Sequence, residues 1–183
     1  ISYSRRYRMK DGSVQTNPGI DNPEIVEMLG MVDACVYVLR FDRANADNIV
    51  LVNFANHPDS VGGNKISADW PGFTRRTVER IIDGTKCIVL NGAQGDINHV
   101  NVYPTGGYMN DIRMDFDGPR GYKHSQYLGR VVAAGVLQAY DKVNYVDVNS
   151  IRYKQRTIQV ASNMPEKDEL EKAHRIHDLH NAG

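Results

Sequence analysis

The chain has 183 residues, of which 41% are hydrophobic, so it can bury a core and is expected to form one domain over residues 1–183. Lysine plus arginine and aspartate plus glutamate each total 22, which gives a net charge of zero. A balanced charge provides no general attraction to nucleic acid, so nucleic acid is not expected as a partner.

Apolar runs and cysteines narrow the class of protein further. No run reaches the about eighteen consecutive apolar residues that a membrane-spanning helix needs, and no signal peptide is visible. The chain begins with Ile1 rather than Met, so we expect its native start to lie elsewhere, and secretion stays open. Cys35 and Cys87 lie in apolar runs without metal-binding spacing, which predicts two buried free thiols.

The first 33 residues combine a basic segment with a loop. Within residues 1–12, Arg5, Arg6 and Arg8 are interspersed with tyrosines, before an Asp-Gly turn signal. Two interpretations stay open: an exposed edge strand protected by its charges, or an arginine directed at an anionic or polarised oxygen. Residues 17–33 contain two prolines and two glycines, and this predicts a loop.

The middle of the chain predicts the sheet. Apolar strands are expected over residues 34–41 and 49–55, joined by a polar turn as a hairpin. A helix over residues 71–83 and a buried strand over 86–91 follow, and this order indicates a parallel crossover. The predicted fold class is therefore α/β, a layered mixed β-sheet with flanking helices.

The loop after the second strand holds the first polar constellation. His57 lies just past the strand end, where ligand-handling residues usually sit in open α/β sheets. Pro58 and the pair of glycines after it shape this loop, and Ser67 or Asp69 is expected to cap the helix that follows. The alternative for His57 is a loop histidine bonded to a neighbouring carbonyl.

The second constellation follows the third strand of this sheet. Residues 91–101 read NGAQGDINHVN and supply Asp96, Asn98 and His99 at the same carboxyl edge as His57. Loops from neighbouring strands can converge, so we predict that His57 and residues 96–99 lie at one edge of the sheet. The alternative is an Asx-rich turn that stabilises itself.

The rest of the chain predicts a long irregular loop over residues 103–121 and a helix over 123–143. His124 is expected at the surface or in a cap. Alternation over residues 150–161 predicts an edge or half-exposed strand. The charged tail after Pro165 predicts a helix, and its histidines at 174, 177 and 180 are interpreted as part of a solvated face rather than a metal site.

Several motifs in a fixed order carry a family resemblance: SRRYRMKDG, NFANHPDSVGG, SADWPGF and NGAQGDIN. From about residue 4 to about residue 160, the chain resembles the amino-terminal catalytic domain of the neutral/alkaline non-lysosomal ceramidase family. The resemblance implies a hydrolase in which a zinc-bound water attacks the amide of N-acylsphingosine. It also implies a secreted, periplasmic or cell-surface location, a lipid-like or small-molecule substrate and peripheral contact with a membrane.

The resemblance also assigns residues. It implies that His57 is a zinc ligand and that Arg5 faces the substrate oxygen, or Arg6 if the register shifts by one. The other zinc ligands, a histidine, a glutamate and a tyrosine, would come from segments outside this chain. Residues 1–183 are therefore expected to be a fragment of a larger catalytic domain that is inactive alone and partners the remaining segments of the full-length protein.

The segment around Asn98 departs from the family motif. Asn98 stands where ceramidases carry serine, with Asp96 and His99 beside it as expected substrate-binding residues. An amide can donate and accept hydrogen bonds but is not a nucleophile, so covalent chemistry there is excluded. Two further functions are considered: an amidase or esterase with a different substrate, and a non-catalytic lipid- or carbohydrate-binding homologue.

Overall fold

The computed structural model describes residues 1–103, 120–162 and 164–182. They form eight strands and three helices: β1 Tyr3–Ser4, β2 Arg6–Met9, β3 Val14–Thr16, β4 Ile25–Met28, β5 Tyr37–Phe41, β6 Asn48–Phe54, α1 Asp69–Ile81, β7 Thr85–Asn91, β8 Ile97–Asn98, α2 Arg120–Tyr140 and α3 Lys167–Asn181. This mixed α/β composition confirms the predicted fold class.

The chain divides into two compact units, Ile1–Asn144 and Tyr145–Gly183. All strands and the helices α1 and α2 lie in the first unit, and α3 lies in the second. The expectation of a single domain that is part of a larger catalytic domain stays a prediction.

The central sheet has the strand order β5-β6-β7. Strands β5 and β6 are antiparallel, with Val38 opposite Val52, which confirms the predicted hairpin. Strands β6 and β7 are parallel, with Val50 opposite Cys87, and α1 lies between them in the chain. The predicted parallel crossover is therefore confirmed, and it brings the carboxyl ends of β6 and β7 to one edge.

The two faces of this sheet differ. Val50, Val52 and Phe54 are buried and pack in one core with side chains of α1 and α2. Burial of each such side chain contributes roughly 1.5–3 kcal/mol. The opposite face holds five apolar side chains that are 45% to 53% exposed: Tyr37, Leu39, Phe41, Ile88 and Leu90.

Helices α1 and α2 approach closely where α2 carries Gly129. A Cβ added to Gly129 would clash with the Phe73 Cβ and would lie 2.7 Å from the Trp70 carbonyl oxygen. The Thr74 hydroxyl lies 3.0 Å from the Trp70 oxygen and 3.1 Å from the Gly129 oxygen. The contact leaves no room for a side chain at position 129, so glycine fixes the spacing of the two helices.

Two smaller sheets connect the amino-terminal residues to the site. Strand β1 pairs with β8, which sets Tyr3 opposite Asn98. Strands β3, β2 and β4 form an antiparallel sheet whose buried residues Tyr7 and Met9 pack against Val102. The prediction of a loop over residues 17–33 was wrong for β4, because pairing with β2 supplies the order that its sequence pattern does not show.

Two further expectations, for residues 150–161 and 103–121, need correction or limits. The strand predicted over residues 150–161 is absent: these residues have no regular structure, and Ile151 and Tyr153 are 92% and 85% exposed. Alternation alone is insufficient, because a strand also requires a partner for its backbone. Most of the loop predicted over residues 103–121 lies outside the described residues.

The cysteine prediction was half right. Cys87 is a buried free thiol, and burial raises its pKa to about 11. Cys35 is exposed, because β5 begins only at Tyr37 and the residues before it form a turn in which Asp33 Oδ1 accepts the Cys35 amide at 3.0 Å.

Helix α3 confirms the helix that was predicted for the charged tail. Glu166 and Glu169 form a reciprocal capping box at its start, and none of its residues is buried. The histidines of this helix therefore lie on a solvated surface, as predicted.

Candidate functional site

His57 lies at the carboxyl edge of the central sheet, three residues after β6 ends. Its backbone amide donates to the Ile97 oxygen at 3.1 Å, and its ring Nδ1 lies 2.9 Å from the same oxygen. Ile97 begins β8 in the second polar constellation. The prediction that the two constellations share one edge is therefore confirmed.

The bond to Ile97 also selects the tautomer of the neutral His57 ring. A carbonyl oxygen only accepts, so Nδ1 carries the proton, and in the neutral ring Nε2 then holds the lone pair. Metal-bound histidines commonly show this arrangement, in which the second nitrogen donates to a carbonyl and orients the ring. A carbonyl-bonded loop histidine and a metal ligand are thus compatible in this geometry.

Asp69 holds the far end of the His57 loop. Its buried carboxylate accepts the Val61 amide at 2.9 Å, the Trp70 amide at 2.6 Å and the Ser125 hydroxyl at 3.2 Å. Its φ of 46° lies in the left-handed region, which a residue with a side chain keeps only when its surroundings fix it. Asp69 therefore ties the loop to both α1 and α2.

The helix start agrees with the capping prediction only in part, because the N-cap residue is Ala68, which makes no side-chain cap bond. The Ser67 hydroxyl oxygen accepts the Asp69 amide at 2.9 Å, so Ser67 and Asp69 both bind amides that the first turn leaves without helical partners. The Trp70 indole nitrogen donates to the His57 carbonyl at 3.3 Å, which ties the helix start back to the site.

The two candidate arginines have different environments. The Arg5 guanidinium donates to the Gly95 oxygen at 2.7 Å, and the Arg5 amide donates to the Asp96 oxygen at 2.9 Å. Arg6 lies 4.0 Å from the Asp96 carboxylate, and both side chains are about half exposed, so solvent screens this pair. Arg5 is thus the arginine held against the second constellation, and both substrate roles stay predictions.

Asn98 is buried with both ends of its amide engaged. Its Nδ2 donates to Asn17 Oδ1 at 3.3 Å, and its Oδ1 accepts the Val100 amide at 3.1 Å. These bonds give Asn98 a role in holding the loop together. The catalytic role assigned to it by resemblance stays a prediction.

His99 is fully buried next to the His57 loop. Its Nδ1 lies 3.0 Å from Asp59 Oδ1, and its ring centre lies 5.4 Å from the ring centre of His124. The contact links the second constellation directly to the residue two positions after His57. Its substrate-binding role, like that of Asp96, stays a prediction.

The expectation that His124 lies at the surface was wrong. His124 is buried because it shares one face of α2 with Leu128 and Val132, at successive intervals of four residues, and that face packs on the core. Burial, helped by the neighbouring His99 and the chain's amino group, lowers the pKa of His124 to about 4. The ring is therefore neutral at pH 7. The four-residue spacing was the sequence signal that could have identified it.

Several buried polar atoms beside His57 are unsatisfied. Within the described residues, both amide atoms of Asn56, the Ser60 hydroxyl and the His124 Nε2 have no hydrogen-bond partner. Leaving such a group unsatisfied costs about 1–3 kcal/mol, so buried polar groups of this kind are normally satisfied by ordered water or by a bound polar group. Asn56, Asp59 and Ser60 were not singled out by the sequence pattern.

The described parts of the chain do not complete a metal centre. Within residues 1–103, 120–162 and 164–182, no group of three or more His, Cys, Asp or Glu side chains is arranged to hold a metal ion. His57 can therefore supply one ligand.

Comparison with protein-family models, with curated proteins and with solved structures finds no match to this chain. Among the helices that the structure describes, none has the length and apolar character to cross a membrane.

Proposed function

We propose that this chain is part of a zinc-dependent hydrolase that resembles the neutral ceramidases and cleaves the amide of N-acylsphingosine or a related lipid-like amide. The observation that carries the proposal is the His57 ring, whose Nδ1 is bonded to the Ile97 carbonyl so that Nε2 holds the lone pair of the neutral ring. The unsatisfied polar atoms of Asn56 and Ser60 support a ligand at the same edge.

The zinc ion would be shared between this chain and other segments of the protein. His57 fits one ligand position, and the remaining ligands implied by the resemblance would come from outside residues 1–183. Catalytic zinc needs about three protein ligands and an open position, where it lowers the pKa of a bound water to about 7 and polarises a carbonyl.

The chain's own residues would position the substrate. The Gly95 oxygen engages one nitrogen of Arg5, which leaves other guanidinium donors for the oxygen of a scissile amide. Asn98 contributes no nucleophile, and the attacking oxygen would be that of water, as the resemblance implies. By the resemblance, the whole protein would act in a secreted, periplasmic or cell-surface setting, with peripheral access to a membrane.

Replacement of His57 tests the metal assignment. In the full-length protein, His57→Ala should abolish both zinc retention and hydrolysis, because the loss of one of few ligands leaves the ion undercoordinated. Zinc is measured by elemental analysis and hydrolysis with an N-acylsphingosine. His177→Ala, on the solvated α3 helix, is the matched control and should change neither. Unchanged zinc in the His57 variant would remove it from the ligands.

The ring protonation can be tested without metal. In the 183-residue chain labelled with ¹⁵N, at a pH where the ring is neutral, we expect the His57 proton on Nδ1 and none on Nε2. The control ring of His174, on the solvated α3 helix, should show no such preference. A His57 ring protonated on Nε2 would contradict the geometry on which the proposal depends.

One observation favours a second substrate class. Because Asn98 replaces serine and is bonded at both ends, an amidase or esterase acting on a different substrate is the second candidate. A panel of N-acyl amides and esters offered to the zinc-loaded full-length protein distinguishes the two. Turnover of none of them by a protein that also retains no zinc would favour the non-catalytic lipid- or carbohydrate-binding homologue that has lost the metal.

A further inference from the structure

A groove between α1 and α2 is lined by basic side chains. Its volume is about 390 Å³, within the usual range for small-ligand sites. Arg76 and Arg80 line it from α1, and Arg130 lines it from α2. The other described residues that line it are Phe73, Thr77, Ile81 and Gln126. None of these lining residues carries a carboxylate.

The three guanidinium groups are not neutralised within the described chain. Arg76, Arg80 and Arg130 are exposed, and none of them takes part in an ion pair with a described residue. The only described acid among the side chains of α1 beyond its first turn is Glu79, which instead accepts the Cys87 amide at 3.0 Å. In a chain with no net charge, this groove therefore concentrates positive charge locally.

The placement of these arginines lowers the stability of the helix, and nothing in the packing of the fold requires it. Arg76 and Arg80 are four residues apart on one helix, where like charges destabilise by about 0.2–0.5 kcal/mol. Arg76 lies 4.6 Å from the centre of the Phe73 ring, which orients its guanidinium over an aromatic face. An anion in the groove would remove the repulsion and meet donors that are already oriented.

The walls of the groove are rigid. Gly129 packs directly against Phe73 and Trp70, with no space for a side chain, and Arg130 follows Gly129 on α2. The Thr74 hydroxyl lies between the backbones of both helices. Sites built on packed helices hold their geometry better than sites on loops. The arginines of α1 and α2 are therefore held at a fixed spacing across the groove.

We propose that this groove binds a phosphate or sulfate ester group, through Arg76, Arg80 and Arg130 with Gln126 as a further donor. Guanidinium forks match the oxygens of such tetrahedral anions, and arginine clusters are a common means of recognising them. The proposal is independent of the His57 site. The anion could be part of a soluble ester or of a lipid headgroup, and the two sources share this chemistry.

Titration calorimetry of the full chain with pyrophosphate, in a low-salt buffer free of phosphate, tests the proposal. We expect saturable binding of one anion per chain. Arg76→Gln, Arg80→Gln and Arg130→Gln should each weaken binding about tenfold, as the loss of a charge-assisted hydrogen bond predicts. Arg75→Gln removes the same charge from an exposed position of α1 outside the groove, and should change the affinity less than about twofold.

A second arm identifies the source of the anion. Co-sedimentation with phosphatidylcholine vesicles, with and without phosphatidic acid, should show binding only to the acidic vesicles if the ligand is a headgroup. Binding of pyrophosphate without vesicle binding would support a soluble ester. Circular dichroism melts check that each variant is folded, and Arg76→Lys, which keeps the charge but loses the fork, should weaken binding less than Arg76→Gln. No saturable binding in either arm, or equal weakening by Arg75→Gln, would overturn the proposal.

Discussion

The six histidines of the chain fall into two groups with opposite environments. His57, His99 and His124 come from three separate segments and meet at one edge of the sheet, where the latter two are buried. The other three lie at regular spacing along α3, and none of them is buried. The regular spacing along α3 looks more like a metal-binding motif. The dispersed histidines, however, are the ones that are hydrogen-bonded or buried. Environment, rather than spacing alone, separates a site from a solvated surface.

The largest difference between the groups is expected in stability. His99→Ala should lower the free energy of unfolding by about 2–4 kcal/mol, because it empties a buried site and leaves Asp59 without its imidazole partner. His174→Ala, on the exposed helix, should change it by less than about 0.5 kcal/mol. Urea denaturation at pH 7 measures both. Equal effects of the two substitutions would remove the distinction drawn between the two environments.

A smaller effect is expected from pH. The ordinary pKa of 6.5 applies to His124 in the unfolded chain, whereas in the folded chain its pKa is lowered to about 4. The unfolded state therefore binds a proton first as the pH falls. The stability contributed by neutral His124 is complete above about pH 6.5 and is lost towards pH 4, by about 2–3 kcal/mol.

Urea denaturation between pH 7 and pH 4 measures this loss, and His124→Phe provides the comparison. The phenylalanine variant keeps an aromatic ring at the position but cannot be protonated, so its stability should fall less over the same range. If both proteins lose stability in parallel, the pH dependence arises from other groups.

The smallest effect is expected in the tail. Replacement of all three α3 histidines by glutamine should leave the zinc content of the full-length protein unchanged, because solvated side chains without a buried carboxylate partner do not form a stable metal site. Elemental analysis beside the His57→Ala variant gives the comparison. A drop in zinc after the glutamine substitutions would show that regular spacing matters more than environment here.

The sequence predicts the central sheet well, because each of its strands has a recognisable apolar run of its own. The apolar run of β6 and the helical period of α1 come from the same residues that form the core, such as Val50, Val52 and Val78. Strands β3 and β4 are missed, because they are short and mostly exposed, and only pairing with β2 orders them. Residues 150–161 show the reverse failure, since they alternate like a strand but have no strand partner in the described chain.

The site is predictable in its position but not in its composition. The place of His57 after a strand and of Asp96 to His99 after the next is sufficient to predict one shared edge. The position of His124 in the site depends on how α2 is rotated against the core. The position of Asp69 depends on its unusual backbone angle. The four-residue spacing of His124 and the cap position of Asp69 are visible in the sequence, but their burial beside the site arises from packing between segments that are distant in the chain.

Gly129 links two properties of this molecule that would otherwise be separate. The contact of α2 with Phe73 and Trp70 depends on a missing side chain, and the same contact sets Arg130 across from the arginines of α1. Any substitution at this position must push the helices apart and widen the basic groove at the same time. In descendants of this sequence, the packing of the two helices and the chemistry of the groove between them would therefore be inherited, or lost, together.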